Sequence, residues 1–135
     1  AERKDAAMPE NTEVTNKNNY NGSRLQLVSI IQLDIGFKVT KTDGMTVKAY
    51  YVNKLEDGKN VAVEAQFLNT STVGVSVTGL KLVDCSELVT VEVYDANGAL
   101  VASCTDSARN WAARNIEKDM ARPVLNFCEK MDAFF

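Results

Sequence analysis

Between Leu25 and Cys104 apolar residues recur at every second position, segment after segment. Leu25, Leu27, Ile31, Leu33, Ile35, Phe37 and Val39 share one parity, and Gln26, Gln32, Asp34, Lys38 and Thr40 share the other. Successive side chains of a strand point to opposite faces, so this alternation predicts strands buried on one side only. The pattern returns from Met45 to Asn53, where Met45, Val47, Ala49 and Tyr51 oppose Thr46, Lys48 and Tyr50. It returns again in Asn60–Leu68, Val73–Leu82 and Val89–Tyr94, and Leu100, Ala102 and Cys104 complete it. Strands with one greasy face need a cover, and that requirement limits the folds open to the chain.

Turn chemistry separates the segments. Asp43-Gly44, Asp57-Gly58 and Asn97-Gly98 each read as a hairpin turn. Asn97-Gly98 is the strongest of them, and a two-residue type I′ loop there pairs Val93 with Ala102 and Val91 with Cys104. Leu100 then falls on the apolar face. The run from Leu25 to Val39 exceeds the ~3–10 residues of most strands, so a bend near Ser29 or Gly36, or two strands, is expected.

From Asp106 onward the period changes. Ala108, Ala112, Ile116, Met120, Val124, Phe127, Met131 and Phe135 are spaced as one helical stripe, widened by Trp111, Cys128 and Phe134. Thr105, Asp106 and Ser107 offer capping oxygens at its start. Pro123 interrupts the stripe without a capping residue before it, which predicts a kink in one long helix, about 45 Å if straight at about 1.5 Å per residue.

The expected fold is therefore α+β: an antiparallel meander of about six strands, with one long C-terminal helix packed on its apolar face. The alternative is an immunoglobulin-like β-sandwich with an appended helix. Residues 25–135 read as a single globular domain. Residues 1–24 read as a flexible leader or linker, because Met8, Val14 and Tyr20 are its only large apolar side chains among many asparagines. The runs Phe67-Leu68-Asn69-Thr70-Ser71 and Val93-Tyr94-Asp95-Ala96-Asn97-Gly98 resemble extracytoplasmic sandwich domains of bacteria. That resemblance spans about a third of the chain and implies no site residues.

Composition narrows the chemistry. The chain has no histidine, which removes the usual general base and the commonest metal ligand. No phosphate loop, dinucleotide fingerprint, nucleophile elbow or zinc motif occurs, so neither catalytic residues nor a cofactor or metal is expected. A net charge of −3 speaks against nucleic acid as a partner. No apolar run is long enough to span a bilayer, although tethering through the N-terminus is compatible with the leader. Asp34, Glu64 and Glu92 fall on the polar parity and read as a solvated sheet face.

Three cysteines remain. A straight helix would hold Cys104 and Cys128 roughly 30 Å apart, against a ~7 Å limit between Cα atoms for a bridge. Cys85–Cys104 is the preferred disulfide, Cys85–Cys128 the second, and three reduced core thiols the alternative. A disulfide would place the protein outside the cytoplasm, periplasmic or secreted. The expectation is a non-enzymatic module that binds a protein partner or serves an assembly, with Tyr50 and Tyr94 on the outward face as the candidate interaction surface. The alternative is a carrier of a small apolar ligand, with a pocket at Trp111 and Pro123 between sheet and helix.

Overall fold

The computed structural model describes residues 14–27, 31–53, 59–81, 84–115 and 121–134. Among the described residues nine strands precede two helices. They are β1 (Thr15–Asn18), β2 (Tyr20–Leu27), β3 (Ile31–Thr40), β4 (Thr46–Asn53), β5 (Lys59–Ala62), β6 (Ala65–Phe67), β7 (Thr72–Leu80), β8 (Val89–Tyr94) and β9 (Leu100–Asp106), then α1 (Ala108–Arg114) and α2 (Ala121–Phe134).

All strand pairs are antiparallel and form two sheets, ordered β1-β9-β8-β4-β5 and β2-β3-β7-β6. The one-sided strands that the alternation predicts are present, but they cover one another instead of lying in one meander. Ile31, Leu33, Ile35, Phe37, Val73, Val75 and Val77 come from the four-stranded sheet and Ala49, Val89, Val91, Val93, Ala102 and Cys104 from the five-stranded sheet; all are buried in one core. This is the two-sheet arrangement of the alternative architecture, with helices appended.

The chain builds each sheet from hairpins and changes sheet between them. β2–β3, β4–β5, β6–β7 and β8–β9 are paired neighbours, whereas the links β1–β2, β3–β4, β5–β6 and β7–β8 cross from one sheet to the other. Asp43-Gly44 is therefore a turn between sheets and not a hairpin. Gly44 has φ +84, and a Cβ there would stand 2.8 Å from the Cβ of Ala96, so the turn packs against the β8–β9 loop. Asp57-Gly58 lies outside the described residues, but β4 and β5 do pair, with Asn53 opposite Lys59. The single segment expected over Asn60–Leu68 is divided, because the chain changes sheet between Ala62 and Ala65.

The predicted Val91–Cys104 and Val93–Ala102 pairs are formed. The loop between them differs in type. Gly98 has φ +81 while Asn97 is not left-handed, Gly98 N donates to Asp95 O (3.0 Å), and Asp95 Oδ1 accepts from Asn97 N and Ala99 N (2.9 Å each). A right-handed turn followed by a left-handed glycine adds a residue to one strand. The ladder slips between Val93 and Tyr94, so Leu100 opposes Tyr94 and is 45% exposed, not on the apolar face.

The helical part is short, not long. α1 ends at Asn115, whose φ of −115° and ψ of 35° leave the helix, and whose N–H bonds Trp111 O and Ala112 O. Asn115 Nδ2 also donates to Trp111 O (2.8 Å). The break thus comes at an asparagine that caps its own helix. Pro123 lies in the first turn of α2, where its missing N–H removes no helical hydrogen bond. α1 and α2 pack on each other, and Ala108, Trp111, Ala112, Val124, Leu125 and Cys128 join the core. Among the described residues no helix is long and apolar enough to cross a membrane.

The N-terminal expectation shifts as well. Residues 15–18 belong to β1 and 20–24 to β2, and Val14 is buried; residues 1–13 lie outside the described residues. Asn16 (φ +51) and Asn19 (φ +58) hold left-handed conformations. Asparagine tolerates that region better than most residues, so part of the asparagine content encodes backbone bends.

Candidate functional site

The outer face of the five-stranded sheet gathers the two tyrosines singled out from the sequence. Val89, Val91 and Val93 of β8 point into the core, which turns Thr90, Glu92 and Tyr94 outward. On β4, Ala49 is buried and Lys48, Tyr50 and Val52 take the outward parity. The β4–β8 register sets Lys48 opposite Glu92, Tyr50 opposite Thr90 and Thr46 opposite Tyr94. Tyr50 and Tyr94 are thus diagonal neighbours of the Lys48–Glu92 pair, within reach of long side chains.

The electrostatics follow from this spacing. Lys48 Nζ lies 5.4 Å from the centroid of the Tyr94 ring, a cation–π contact. Partial desolvation, then the hydrogen bond and negative charge of Glu92, then the neighbouring Tyr50, raise the Tyr94 phenol above its ordinary value. Tyr94 accordingly stays a neutral phenol at physiological pH. A cleft of about 590 Å³ opens beside Tyr50 and Glu92, reaching Asn60 and Ala62 of β5 and Val63 and Ala65 beyond it.

The apolar side chains left in water gather on or beside this face. Among the described residues the exposed large hydrophobics are Val52 (45%), Leu88 (52%) and Leu100 (45%). Val52 and Leu88 share a second hollow of about 560 Å³ with Thr90 and Thr105, and Leu100 opposes Tyr94. Single exposed apolar residues are common, but an aliphatic and aromatic set on one sheet face has the composition of a binding surface. The alternation made Val52 outward, but Leu100 came to this face only through the slip in the ladder.

The carboxylates of the polar parity are dispersed. Glu92 is in the five-stranded sheet, Glu64 in the link between sheets, and Asp34 in the four-stranded sheet. Asp34 is buried, and accepts from Arg24 Nη2 (3.1 Å) and Gln32 Nε2 (3.2 Å). Among the described residues no group of three or more metal-ligating side chains occurs.

The Trp111–Pro123 region is built differently from a pocket wall. Trp111 is 2% exposed, with Nε1 donating to Ser23 O (3.2 Å), whereas Pro123 is exposed on α2. Beside Trp111 is a polar network that sequence reading did not find. Asp106 is fully buried at the end of β9, and Arg114 of α1 grips both of its oxygens in a bidentate pair. Ser107 N donates to Asp106 Oδ1 (2.8 Å), and Ser23 Oγ lies 3.5 Å from Oδ2 and 3.1 Å from the Tyr20 hydroxyl. Ser107, not Asp106, caps α1, through Oγ to Asn110 N (3.0 Å). Burial opposes the charge on Arg114, but Asp106 outweighs it and raises the guanidinium above its usual value. The sequence signal for this pair was an acid and an arginine eight positions apart across a helix start, which is too weak to single out.

The three cysteines are free and buried, so the expected Cys85–Cys104 bridge is not formed. Cys104 faces the core opposite Val91, while Cys85 sits in the turn before β8, where its carbonyl accepts from Arg109 N (3.0 Å). Burial, and secondarily the negative charge of Asp106, push the Cys104 thiol up to about 12 from the 9.0 of an ordinary thiol. The unfolded thiol therefore ionises first as pH rises, and the folded form loses ground between those two values. Stability is expected to be unaffected by this group below about pH 8. Above pH 9 it should fall by about 1.4 kcal/mol per pH unit. Denaturant melts from pH 7 to 11 would show the slope, and Cys104→Ala should flatten it.

No family model, curated protein or solved structure matches the chain.

Proposed function

We propose that the protein is a non-enzymatic binding module that engages a protein partner through the outer face of its five-stranded sheet. The observation that carries this reading is the convergence of Tyr50 and Tyr94 on the Lys48–Glu92 pair, with Val52, Leu88 and Leu100 exposed around them. Tyrosine supplies large contact area at small entropic cost, and a central charged pair ringed by apolar groups favours a partner that buries the rim. A histidine-free chain supports the non-enzymatic part of the reading. The full burial of Trp111 with its ring nitrogen bonded makes an apolar-ligand pocket at that point the weaker reading.

Site-specific photocrosslinking tests this. A benzophenone side chain at Tyr50 or Tyr94 is expected to trap a discrete protein adduct in the source cells, whereas one at Lys38, exposed on β3 of the other sheet, is not. Once that partner is in hand, the double variant Tyr50→Ala, Tyr94→Ala should weaken binding at least ~30-fold, the effect of one strong hot spot of about 2 kcal/mol. Its melting temperature should stay near that of the parent, because both side chains lie outside the core. Equal adducts at all three positions would remove the assignment.

A further inference from the structure

We propose that β1 is an exchangeable strand, traded between two copies of this chain so that each copy's Thr15–Asn18 pairs with the other's β9. β1 is short and all four of its residues are exposed. It pairs with β9 at Thr15–Thr105 and Asn18–Ser103, with a shift of register between the two. Around this ladder stand Ser103 Oγ donating to Asn16 O (3.3 Å) and Asn19 Nδ2 donating to Val101 O (2.7 Å). Val14, just ahead of the strand, is its buried anchor.

The connector is what makes exchange favourable. A single residue, Asn19, carries the chain from one sheet to the other, and it does so at φ +58 with its carbonyl accepting from Lys38 N (2.7 Å). Asparagine tolerates the left-handed region better than most residues but still less freely than glycine, and a one-residue link has no slack in which to spread what cost remains. If Asn19 relaxes to an extended φ, β1 runs straight on from β2 and leaves its own molecule. β9 is then an unpaired edge that accepts a strand of matching register, and a second copy carries that strand. In the exchanged dimer every β1–β9 contact reappears between chains, Val14 included, and only the hinge has changed. Short hinges under strain favour this outcome, so the occupant of the vacated edge is the same chain.

Two measurements on the full chain test the exchange. The first mixes copies carrying only Asn18→Cys with copies carrying only Ser103→Cys, incubates them at high concentration and oxidises them. These two positions are Cα partners, so an interchain disulfide that forms in the mixture and in neither variant oxidised alone is expected if β1 of one copy lies on β9 of another. The second is light scattering across a concentration series. Asn19→Val, which disfavours the left-handed hinge, is expected to raise the dimer association constant about tenfold or more, and Asn19→Gly, which accepts it, to lower it. The proposal is overturned if the mixed sample gives no 18–103 crosslink while the unmutated hinge is present. It is overturned equally if dimers form without that crosslink, which would place association on another surface such as the Tyr50–Tyr94 face. Absence of crosslink decides the matter even should Asn19→Val fail to fold.

Discussion

Replacing Arg114 with methionine is expected to lower the free energy of unfolding by about 3–5 kcal/mol, the range found when one member of a buried ion pair is removed. That is a large part of the ~5–15 kcal/mol that holds a domain of this size together. The reason lies with Asp106, not with Arg114. The carboxylate is fully buried, while the guanidinium is 20% exposed and keeps some water. Without its partner, Asp106 retains Ser107 N and a long contact to Ser23, which do not compensate a buried charge. The double variant Asp106→Asn, Arg114→Met removes the charge and keeps an acceptor for Ser107 N, so it should lie closer to the parent than the single variant does. Denaturant melts of the four proteins at pH 7 measure the coupling. A single variant within 1 kcal/mol of the parent would show that the pair contributes little.

The same corner of the molecule shows which features the sequence displays openly. Alternation needs only local information, so the inward residues of β3, β4, β7 and β8, and Ala102 and Cys104 of β9, were readable from it, and with them the Val91–Cys104 register, whereas Leu100 was not. Which strands share a sheet is not local. A greasy face is satisfied equally by a helix or by a second sheet, and the turn at Asp43-Gly44 reads the same whether it closes a hairpin or crosses between sheets. The helical stripe was read as continuous because its spacing does continue past Asn115. What ends α1 is a capping asparagine, a weaker signal than the proline that follows it. Tyr50 and Tyr94 were legible as outward because parity alone determines that. Their meeting around Glu92 required the register, and Leu100 joined them through a slip set by a left-handed glycine. The asparagines near the N-terminus were read through composition, where hydrophobic content is low, although Asn16 and Asn19 hold left-handed conformations and Asn19 carries the chain from one sheet to the other.

Trp111→Ala is the second change with a large expected cost, about 3–5 kcal/mol from lost burial and the cavity left behind. Trp111 is the largest of the fully buried side chains, and it is one of the points at which α1 is fixed to the sandwich. Its indole nitrogen donates to the carbonyl of Ser23 on β2, and Ser23 in turn touches the Asp106–Arg114 pair. Alanine therefore removes packing and also leaves a carbonyl without its donor, next to a buried charge that depends on the same geometry. Trp111→Phe separates the two effects. It keeps most of the ring volume and loses the donor, and should cost about 1–3 kcal/mol, the penalty for an unsatisfied buried acceptor. Because the indole and the ion pair share Ser23, Trp111→Phe and Arg114→Met should not be additive, with an interaction of about 0.5–3 kcal/mol between them. If the two losses simply sum, α1 is held at two independent points and Ser23 is a bystander. If they interact, the start of α1, the end of β9 and the Ser23 stretch of β2 form one unit. Loosening any of them would then be felt in amide exchange at the other two before the remainder of the sandwich opens.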